Sequence, residues 1–227
     1  MKREIVKTAD GSTTIHLPEL NEQYHSKHGA INEAKHVFIE TGLYHVLGIQ
    51  DYKDLGILEI GFGTGLNAFI TFLEATKLSQ KINYVGIEAY PVPNEEAKLM
   101  NYPEELKVCE KQSIFDLLHQ SSWETPTIIS PEFLLTKRKQ FFKDIKDENC
   151  YHLIYFDAFG ARVQPELWTV EIFEKMYNAL QNNGVLVTYS AKGSVRRAMQ
   201  EVGFVIERLQ GPPGKREMLR ATKKSLE

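Results

Sequence analysis

Short apolar runs recur along the chain, and between them lie segments whose apolar residues stand three or four positions apart. The runs predict buried β-strands, and the segments predict amphipathic helices. Predicted strands cover residues 57–60, 82–89, 133–135, 151–157, 185–189, 204–209 and 218–222. Predicted helices cover residues 31–46, 66–73, 113–119, 140–145, 165–180 and 195–202. This alternation predicts an α/β protein with a mostly parallel sheet.

The two ends of the chain show different patterns. Residues 4–17 alternate loosely between apolar and polar side chains around Asp10-Gly11, which is typical of a hairpin. The last two predicted strands are joined by a Gly211-Pro-Pro-Gly214 turn and predict a second antiparallel pair. We therefore expect one domain over residues 1–227, in which residues 1–50 form an N-terminal hairpin and a covering helix and residues 51–227 form the ligand-binding core.

Three glycines, Gly61, Gly63 and Gly65, stand between the strand at 57–60 and the helix that follows it. Strand, glycine turn and helix open a nucleotide-type binding fold, because the turn is tight and its backbone must approach a ligand. The third glycine comes one residue earlier than in a dinucleotide fingerprint. From Glu59 onward, the spacing resembles the first motif of S-adenosylmethionine-dependent methyltransferases.

Acidic residues end two of the predicted strands. Glu88 follows Gly65 by about 20 residues, at the position where an acid binds the hydroxyl groups of a ribose. Asp157 ends a central strand, at the sheet edge where open α/β folds place their chemistry. The alternative for Asp157 is a helix cap, but Ala158-Phe159-Gly160 is not typical of a helix start, so the functional interpretation is favoured.

The composition narrows the class of protein. The chain has 227 residues, 42% of them hydrophobic, and a net charge of -3, which excludes a global basic field. Residues 1–10 are charged and lack an apolar core, so we expect no signal peptide, and no apolar run approaches the ~18 residues that a membrane span needs. Cys109 and Cys150 have no nearby metal-type partners, and Glu33 and His36 lack a further ligand. We expect a cytoplasmic protein without a metal or a membrane anchor.

The charge is unevenly distributed along the chain. Residues 185–227 contain nine lysines and arginines against four glutamates. A basic segment on an acidic chain predicts localised contact with phosphates, and a solvated surface is the alternative. The candidates for RNA binding are Lys192, Arg196, Arg197, Lys215 and Arg216.

Several sequence blocks resemble the MnmC/MnmD group of bacterial tRNA methyltransferases. They are Tyr24 to Phe38, Glu59 to Asn67, Asp157-Ala158-Phe159, Pro165 to Thr169, Ser190 to Ala198 and Lys215 to Leu219. The resemblance implies a Rossmann-like class I fold with a seven-stranded, mostly parallel sheet, a terminal antiparallel hairpin and an N-terminal extension. It also implies a methyltransferase without the FAD-dependent oxidase domain of bifunctional relatives.

The same resemblance implies a reaction and a cofactor. The reaction is N-methylation of the aminomethyl group on C5 of the wobble uridine, in the anticodon loop of tRNA, giving 5-methylaminomethyl-(2-thio)uridine. The cofactor is S-adenosylmethionine. The implied catalytic residue is Asp157, and the implied cofactor contacts are Tyr24, Glu33, Glu59, Gly61, Gly63, Gly65, Asn67, Glu88, Gln140 and Asp157. Tyr24 and Glu33 would touch the methionine end, and Gln140 the adenine, although relatives tend to carry Gly-Asp at Lys139-Gln140.

Two other functions stay open at this point. Methyl or aminopropyl-type transfer to a small-molecule amine suits the acidic overall balance better than RNA does. The second alternative is a non-enzymatic tRNA-binding module with a relict cofactor pocket. The intact glycines together with Glu88 and Asp157 argue against it. Salt dependence of activity separates RNA from a small amine, and binding of the cofactor separates an enzyme from a scaffold.

Overall fold

The computed structural model of the chain describes residues 2–224. The strands are β1 Glu4–Lys7, β2 Thr13–Leu17, β3 Glu22–Gln23, β4 Asp54–Ile60, β5 Lys81–Ile87, β6 Thr127–Ser130, β7 Phe133–Arg138, β8 Tyr151–Phe156, β9 Leu180–Thr188, β10 Phe204–Gln210 and β11 Glu217–Lys223. The α-helices are α1 Ala30–Ala34, α2 Tyr44–Ile49, α3 Leu66–Leu78, α4 Asn94–Ala97, α5 Tyr102–Glu105, α6 Gln112–Gln120, α7 Val170–Ala179 and α8 Gly193–Val202. A π-helical segment, Lys35–Leu43, joins α1 to α2. No helix among residues 2–224 is long and apolar enough to cross a bilayer.

Eight strands form the main sheet in the order β10-β11-β9-β8-β4-β5-β7-β6. The five inner strands from β9 to β7 are parallel, whereas β11, β10 and β6 pair antiparallel to their neighbours. The predicted mostly parallel sheet and terminal hairpin are confirmed. The sheet has one strand more than the seven predicted, because β6 pairs with β7 at the edge.

Helices cover both faces of this sheet. On one face, α3, α6 and the helical segment from α1 to α2 pack around Phe38, Phe69 and Tyr155. On the other face, α7 and α8 pack around Phe156, Phe173 and Met199. Because both faces are buried, the inner strands are continuous apolar runs. The strand order reverses between β4 and β8, and in such sheets the ligand crevice lies at the carboxyl ends of those two strands.

The N-terminal segment shares the core with the rest of the chain. β1, β2 and β3 form a separate three-stranded sheet, so the predicted hairpin gains a third strand. The Thr13 amide donates to the Asn101 side chain at 2.7 Å, and the Phe38 ring lies 5.1 Å from the Tyr155 ring. The division into residues 1–50 and 51–227 stays a prediction.

Local structure differs from what the sequence pattern predicts in three stretches. The helix predicted at 140–145 is one short turn at Phe142–Asp144. The helix predicted at 165–180 is a turn at Pro165–Trp168 followed by α7, and Thr169 caps α7 with its side chain. Asn183-Gly184, which is typical of a helix stop, instead lies inside β9 at a register shift against β8, where Asn183 has φ +62°.

Candidate active site

A cavity of about 1080 Å³ opens at the carboxyl ends of β4 and β8. Seven of the ten predicted cofactor contacts line it together: Tyr24, Glu33, Gly61, Gly63, Asn67, Glu88 and Asp157. The volume lies at the upper limit of the ~300–1,000 Å³ that is usual for a small-molecule site. The cavity is therefore large enough for two reactants side by side.

The glycine turn after β4 contacts the strand that carries Asp157. Gly61 has φ +92°, and a Cβ atom there would lie 2.7 Å from the backbone oxygen of Asp157. Only glycine tolerates that conformation and that approach without strain. α3 begins immediately after the turn, so its unpaired amides are presented to the cavity.

Glu88 is tied to the glycine turn. Its Oε2 accepts a hydrogen bond from the Gly63 amide at 3.1 Å, and its Oε1 accepts one from the Tyr90 amide at 2.9 Å. Each carboxylate oxygen keeps a further lone pair. The carboxylate is thus held in one orientation and still able to accept hydrogen bonds from a diol, which is the role predicted for it.

Asp157 follows β8 and is oriented by a neighbouring amide. Asn67, in the first turn of α3, donates to Asp157 Oδ2 at 2.8 Å. Burial raises the pKa of Asp157 to about 7, and the negative charge of Glu33 acts in the same direction. The Asn67 hydrogen bond and the positive charge of Lys215 oppose this shift. A carboxyl group with a pKa near neutrality can both accept and release a proton.

Glu33, on α1, forms an ion pair with Lys215, and both side chains line the cavity. Its Oε2 accepts a hydrogen bond from the Ser26 amide at 2.9 Å, and its Oε1 accepts one from the Lys215 ammonium. The same ammonium lies 3.7 Å from the centroid of the Tyr189 ring. Glu33 and the aromatic ring already interact with the charge of Lys215, and its contact with phosphates stays a prediction.

Aromatic side chains form the wall next to the glycine turn. The Tyr24 and Phe159 rings meet edge to face at 4.9 Å, and Tyr24 lies against Gly63. Burial raises the pKa of Tyr24 to about 12, so its hydroxyl stays protonated at neutral pH. Tyr24 lines the cavity beside Gly63, and its contact with the methionine end of the cofactor stays a prediction.

Three predicted cofactor contacts do not line the cavity. Glu59 is fully buried, and its carboxyl group turns into the core towards Tyr84 and Asn67. Gly65, with φ +72°, begins α3 and lies against His119. Gln140 lies beyond the end of β7, and the next residues, 141–143, line the cavity in its place. Direct cofactor contact by these three residues stays a prediction that the lining of the cavity does not support.

The five basic candidates do not form one patch at the cavity. Lys192 is exposed at its mouth, and Lys215 is paired inside it. Arg197 and Arg216 are exposed and Arg196 is half-buried, and none of these three lines the cavity. Within residues 2–224, no group of three or more histidine, cysteine, aspartate or glutamate side chains could hold a metal ion.

The structure adds aromatic residues that the sequence pattern missed. Tyr189 follows β9 and donates its hydroxyl to the Ala158 carbonyl oxygen at 2.8 Å. Tyr189 follows a parallel strand, as Asp157 does, and this position in the sequence could have identified it as a cavity residue. Tyr90 and Phe141 lie at the cavity rim with ring centroids 6.0 Å apart. Both belong to connections between strands, where no periodicity marks them.

Comparisons with known proteins agree with this geometry. The profile of a family described as S-adenosyl-L-methionine-dependent methyltransferase matches residues 133–224. The bifunctional protein MnmC of tRNA 5-methylaminomethyl-2-thiouridine biosynthesis from Polaromonas naphthalenivorans is 28% identical over 225 residues, which cover 93% of this chain and 34% of that protein. The protein of the same name from Idiomarina loihiensis is 26% identical over 223 residues, covering 86% of this chain and 34% of that protein. The chain thus spans about a third of the length of these curated relatives.

Solved structures show the same architecture. MNMC2 from Aquifex aeolicus superimposes with a TM-score of 0.77 at 22% identity, over 99% of this chain and 71% of that one. Spermidine synthase from Thermotoga maritima superimposes with a TM-score of 0.59 at 13% identity, over 97% and 69%. The Rossmann-like fold is therefore confirmed.

The glycine turn, the cavity at the strand ends and the matched family profile define an S-adenosylmethionine-dependent methyltransferase. The predicted enzyme class and cofactor are thus confirmed. Along nearly its whole length, the chain is similar to the methyltransferase part of MnmC, which confirms the predicted resemblance.

The raised pKa of Asp157 has a measurable effect on stability. The Asp157 carboxyl group binds a proton more tightly in the folded chain than in the unfolded chain. Its contribution to the free energy of unfolding therefore falls as the pH rises from 3.8 to about 7. The Asp157→Asn variant lacks that titration. We expect the melting temperature of the parent to fall relative to the variant across this range and to run parallel to it above. Thermal unfolding of both proteins from pH 4 to pH 9 tests this, and parallel curves throughout would contradict the shift.

Proposed function

We propose that the chain transfers a methyl group from S-adenosylmethionine to the aminomethyl nitrogen on C5 of the wobble uridine in tRNA. The product is the 5-methylaminomethyl uridine or its 2-thio form. One observation carries the proposal: the glycine turn, Glu88 and Asp157 face one cavity with space for a second reactant. The similarity to MnmC supports RNA as that reactant. A tRNA substrate places the activity in the cytoplasm.

The side chains of the cavity fit the chemistry of S-adenosylmethionine. Glu88 accepts hydrogen bonds from ribose hydroxyl groups, and its own position is fixed by Gly63 and Tyr90. Glu33 and Lys215 carry the opposite charges that match the ammonium and carboxylate of an amino acid. When bound, the cofactor supplies an electrophilic methyl group on a positively charged sulfur.

Asp157 is the proposed catalytic residue. The acceptor is a primary amine that is largely protonated at neutral pH, and only its neutral form has a lone pair with which to attack. Ionised Asp157 takes the excess proton from this nitrogen and passes it to solvent, which leaves a neutral amine beside a carboxylate that is ionised again. The carboxylate then accepts a hydrogen bond from the amine and stabilises the ammonium that forms when the nitrogen gains the methyl group. Asn67 fixes the orientation of the carboxylate, and Tyr24 and Phe159 exclude water from one side.

A small-molecule amine is the second candidate acceptor, and the charge of the cavity favours it. Six carboxylates and five lysine or arginine side chains line the cavity, which does not make a basic field. Glu166 and Glu171 are exposed carboxylates of this lining and match a cationic polyamine.

A comparison of three acceptors in separate incubations tests the proposal. The chain is incubated with methyl-labelled S-adenosylmethionine and either tRNA that carries 5-aminomethyluridine, the same tRNA already methylated, or spermidine. We expect label only in the first RNA, and transfer should weaken steeply with added salt, because phosphate contacts do. Label in spermidine alone, with little salt dependence, would favour the second candidate. Cofactor binding without transfer to any acceptor would contradict both.

Lys192 is the basic candidate best placed for tRNA. It is exposed at the cavity mouth, and among residues 2–224 it forms no ion pair. We expect Lys192→Ala to raise the KM for tRNA and to reduce the slope of log affinity against log salt by about 1, as loss of one phosphate contact does. Lys81→Ala is the matched control, because Lys81 is exposed at the opposite end of β5. Equal effects of both substitutions would show a general charge effect and no local contact.

A further inference from the structure

Three adjacent side chains beside Asp157 are buried and incompletely hydrogen-bonded. They are Glu59 on β4, Tyr84 on β5 and Asn67 on α3, with exposed fractions of 0%, 1% and 3%. Within the described residues, four of their atoms have no hydrogen-bond partner: both carboxyl oxygens of Glu59, the Tyr84 hydroxyl and Asn67 Oδ1. Unpaired buried polar atoms are costly and rare in folded proteins. Their concentration at one point next to the proposed catalytic carboxylate calls for a chemical explanation.

The arrangement links Glu59 to Asp157 through one amide. The Tyr84 hydroxyl and the Asn67 side chain both lie against the Glu59 carboxyl group. The other end of the Asn67 amide, Nδ2, donates to Asp157 Oδ2 at 2.8 Å. Asn67 Oδ1 is an acceptor and needs a donor. A carboxylate offers none, whereas a carboxylic acid offers one.

Burial favours the acid form of Glu59. It raises the pKa of Glu59 well above 4.5, although the adjacent Tyr84 and Asn67 side chains act against this shift. The negative charges of Asp157 and Glu88 raise it further. A buried acid without a cationic partner is expected to stay neutral.

We propose that Glu59 is a positioning residue which, as a neutral carboxylic acid, donates its proton to Asn67 Oδ1. This bond selects one of the two orientations of the Asn67 amide, the one that points Nδ2 at Asp157. Glu59 thereby holds the catalytic carboxylate in place from inside the core, without contacting either reactant. Its catalytic consequence rests on the proposed role of Asp157, whereas the hydrogen bond itself does not.

Other charged or titratable groups also face Asp157. Glu33 approaches from α1, Lys215 from the connection between β10 and β11, and Tyr189 from the end of β9. Glu33 and Lys215 are paired with each other, and burial raises the pKa of Tyr189 well above 10.0, so the phenol stays neutral. The titration of Asp157 therefore reports on the charge of Glu59 when only Glu59 is changed.

Two substitutions of Glu59 distinguish a neutral hydrogen-bond donor from a charged group or a side chain that only fills space. Glu59→Gln keeps the size and supplies an N–H donor without charge. Glu59→Met keeps the approximate volume and removes the donor. We expect Glu59→Met to lower kcat by about 10- to 100-fold, as misplacement of a catalytic group does, with the Kd for S-adenosylmethionine unchanged. Glu59→Gln should restore most of the lost turnover.

A titration of Asp157 without any acceptor gives an independent result. The carboxyl carbon of Asp157 is followed by ¹³C NMR and assigned by its absence in Asp157→Asn. We expect the same midpoint in the parent and in Glu59→Gln, and a higher midpoint in Glu59→Met and Asn67→Ala, because loss of the Asn67 donor destabilises the carboxylate.

Two outcomes would overturn the proposal. A lower midpoint in Glu59→Gln would mean that Glu59 is ionised in the parent. A parent-like midpoint and parent-like kcat in folded Glu59→Met would mean that Glu59 only fills space. If Glu59→Met does not fold, the midpoint of Glu59→Gln alone decides. Because the titration needs no RNA, failure of methyl transfer to tRNA leaves this test intact.

Discussion

The Asp157→Asn variant is expected to lose about 10²- to 10⁴-fold in kcat, the range attributed to a positioned acid–base group. Its affinity for S-adenosylmethionine should change little. Asparagine has nearly the same shape as aspartate, and its side-chain oxygen can still accept the hydrogen bond that Asn67 donates at 2.8 Å in the parent. It cannot take a proton from the amine or balance the charge of the ammonium that forms.

Single-turnover transfer and calorimetric titration of the cofactor measure the two effects of this substitution separately. Asp54→Asn is the matched control, because Asp54 is an exposed carboxylate at the opposite end of β4 from the cavity. Its kcat and Kd should equal those of the parent. Losses of similar size in kcat and in cofactor affinity for Asp157→Asn would show that Asp157 only maintains the cavity.

The Glu88→Ala variant is expected to weaken S-adenosylmethionine binding while leaving kcat at saturation nearly unchanged. A hydrogen bond to a charged group contributes about 1.5–3 kcal/mol, so the Kd should rise by about 10- to 150-fold. The substitution also frees the Gly63 and Tyr90 amides, which Glu88 holds at 3.1 and 2.9 Å. The loosened turn adds to the loss in affinity.

Calorimetry with the cofactor measures this loss directly. Glu95→Ala is the control, since Glu95 is an exposed carboxylate on α4. Glu88→Gln separates charge from shape, because an amide oxygen can still accept from one hydroxyl group, and its Kd should fall between those of the parent and Glu88→Ala. A parent-like Kd for Glu88→Ala would identify Glu88 as a solvated surface charge.

The residues that the sequence predicted best are those at the ends of parallel strands. Glu88 and Asp157 are far apart in the chain, yet both follow apolar runs, and the carboxyl ends of parallel strands meet at one edge of the sheet. The same reasoning applies to Gly61 and Gly63, which follow β4. Local pattern and fold topology suffice for such positions.

The Glu33–Lys215 pair could not be predicted in this way. Its members are separated by 182 positions and meet only because the connection after β10 folds back onto α1. No periodicity encodes that contact, and the sequence shows only that Lys215 stands in a segment where basic residues are frequent. A charged residue in a connection has a predictable type but no predictable partner.

Glu59 shows a second limit of sequence reasoning. In a strand that is buried on both faces, the alternation of apolar and polar residues disappears, so nothing indicates which way a polar side chain turns. Within the motif Glu59 looks like a ligand contact, but it is buried below the turn, beside Tyr84 and Asn67. Gln140 shows a third limit, because the connection after β7 has no regular structure to fix its register.

Nucleoside analysis of the labelled tRNA tests the central claim most directly. tRNA that carries 5-aminomethyluridine is incubated with the parent chain and methyl-labelled S-adenosylmethionine, digested to nucleosides and analysed by mass spectrometry. The account predicts a single labelled nucleoside, the 5-methylaminomethyl uridine of the wobble position, and its near absence with Asp157→Asn. Label on a ring atom or a ribose of any nucleotide, or undiminished label with Asp157→Asn, would contradict an amine acceptor held beside Asp157.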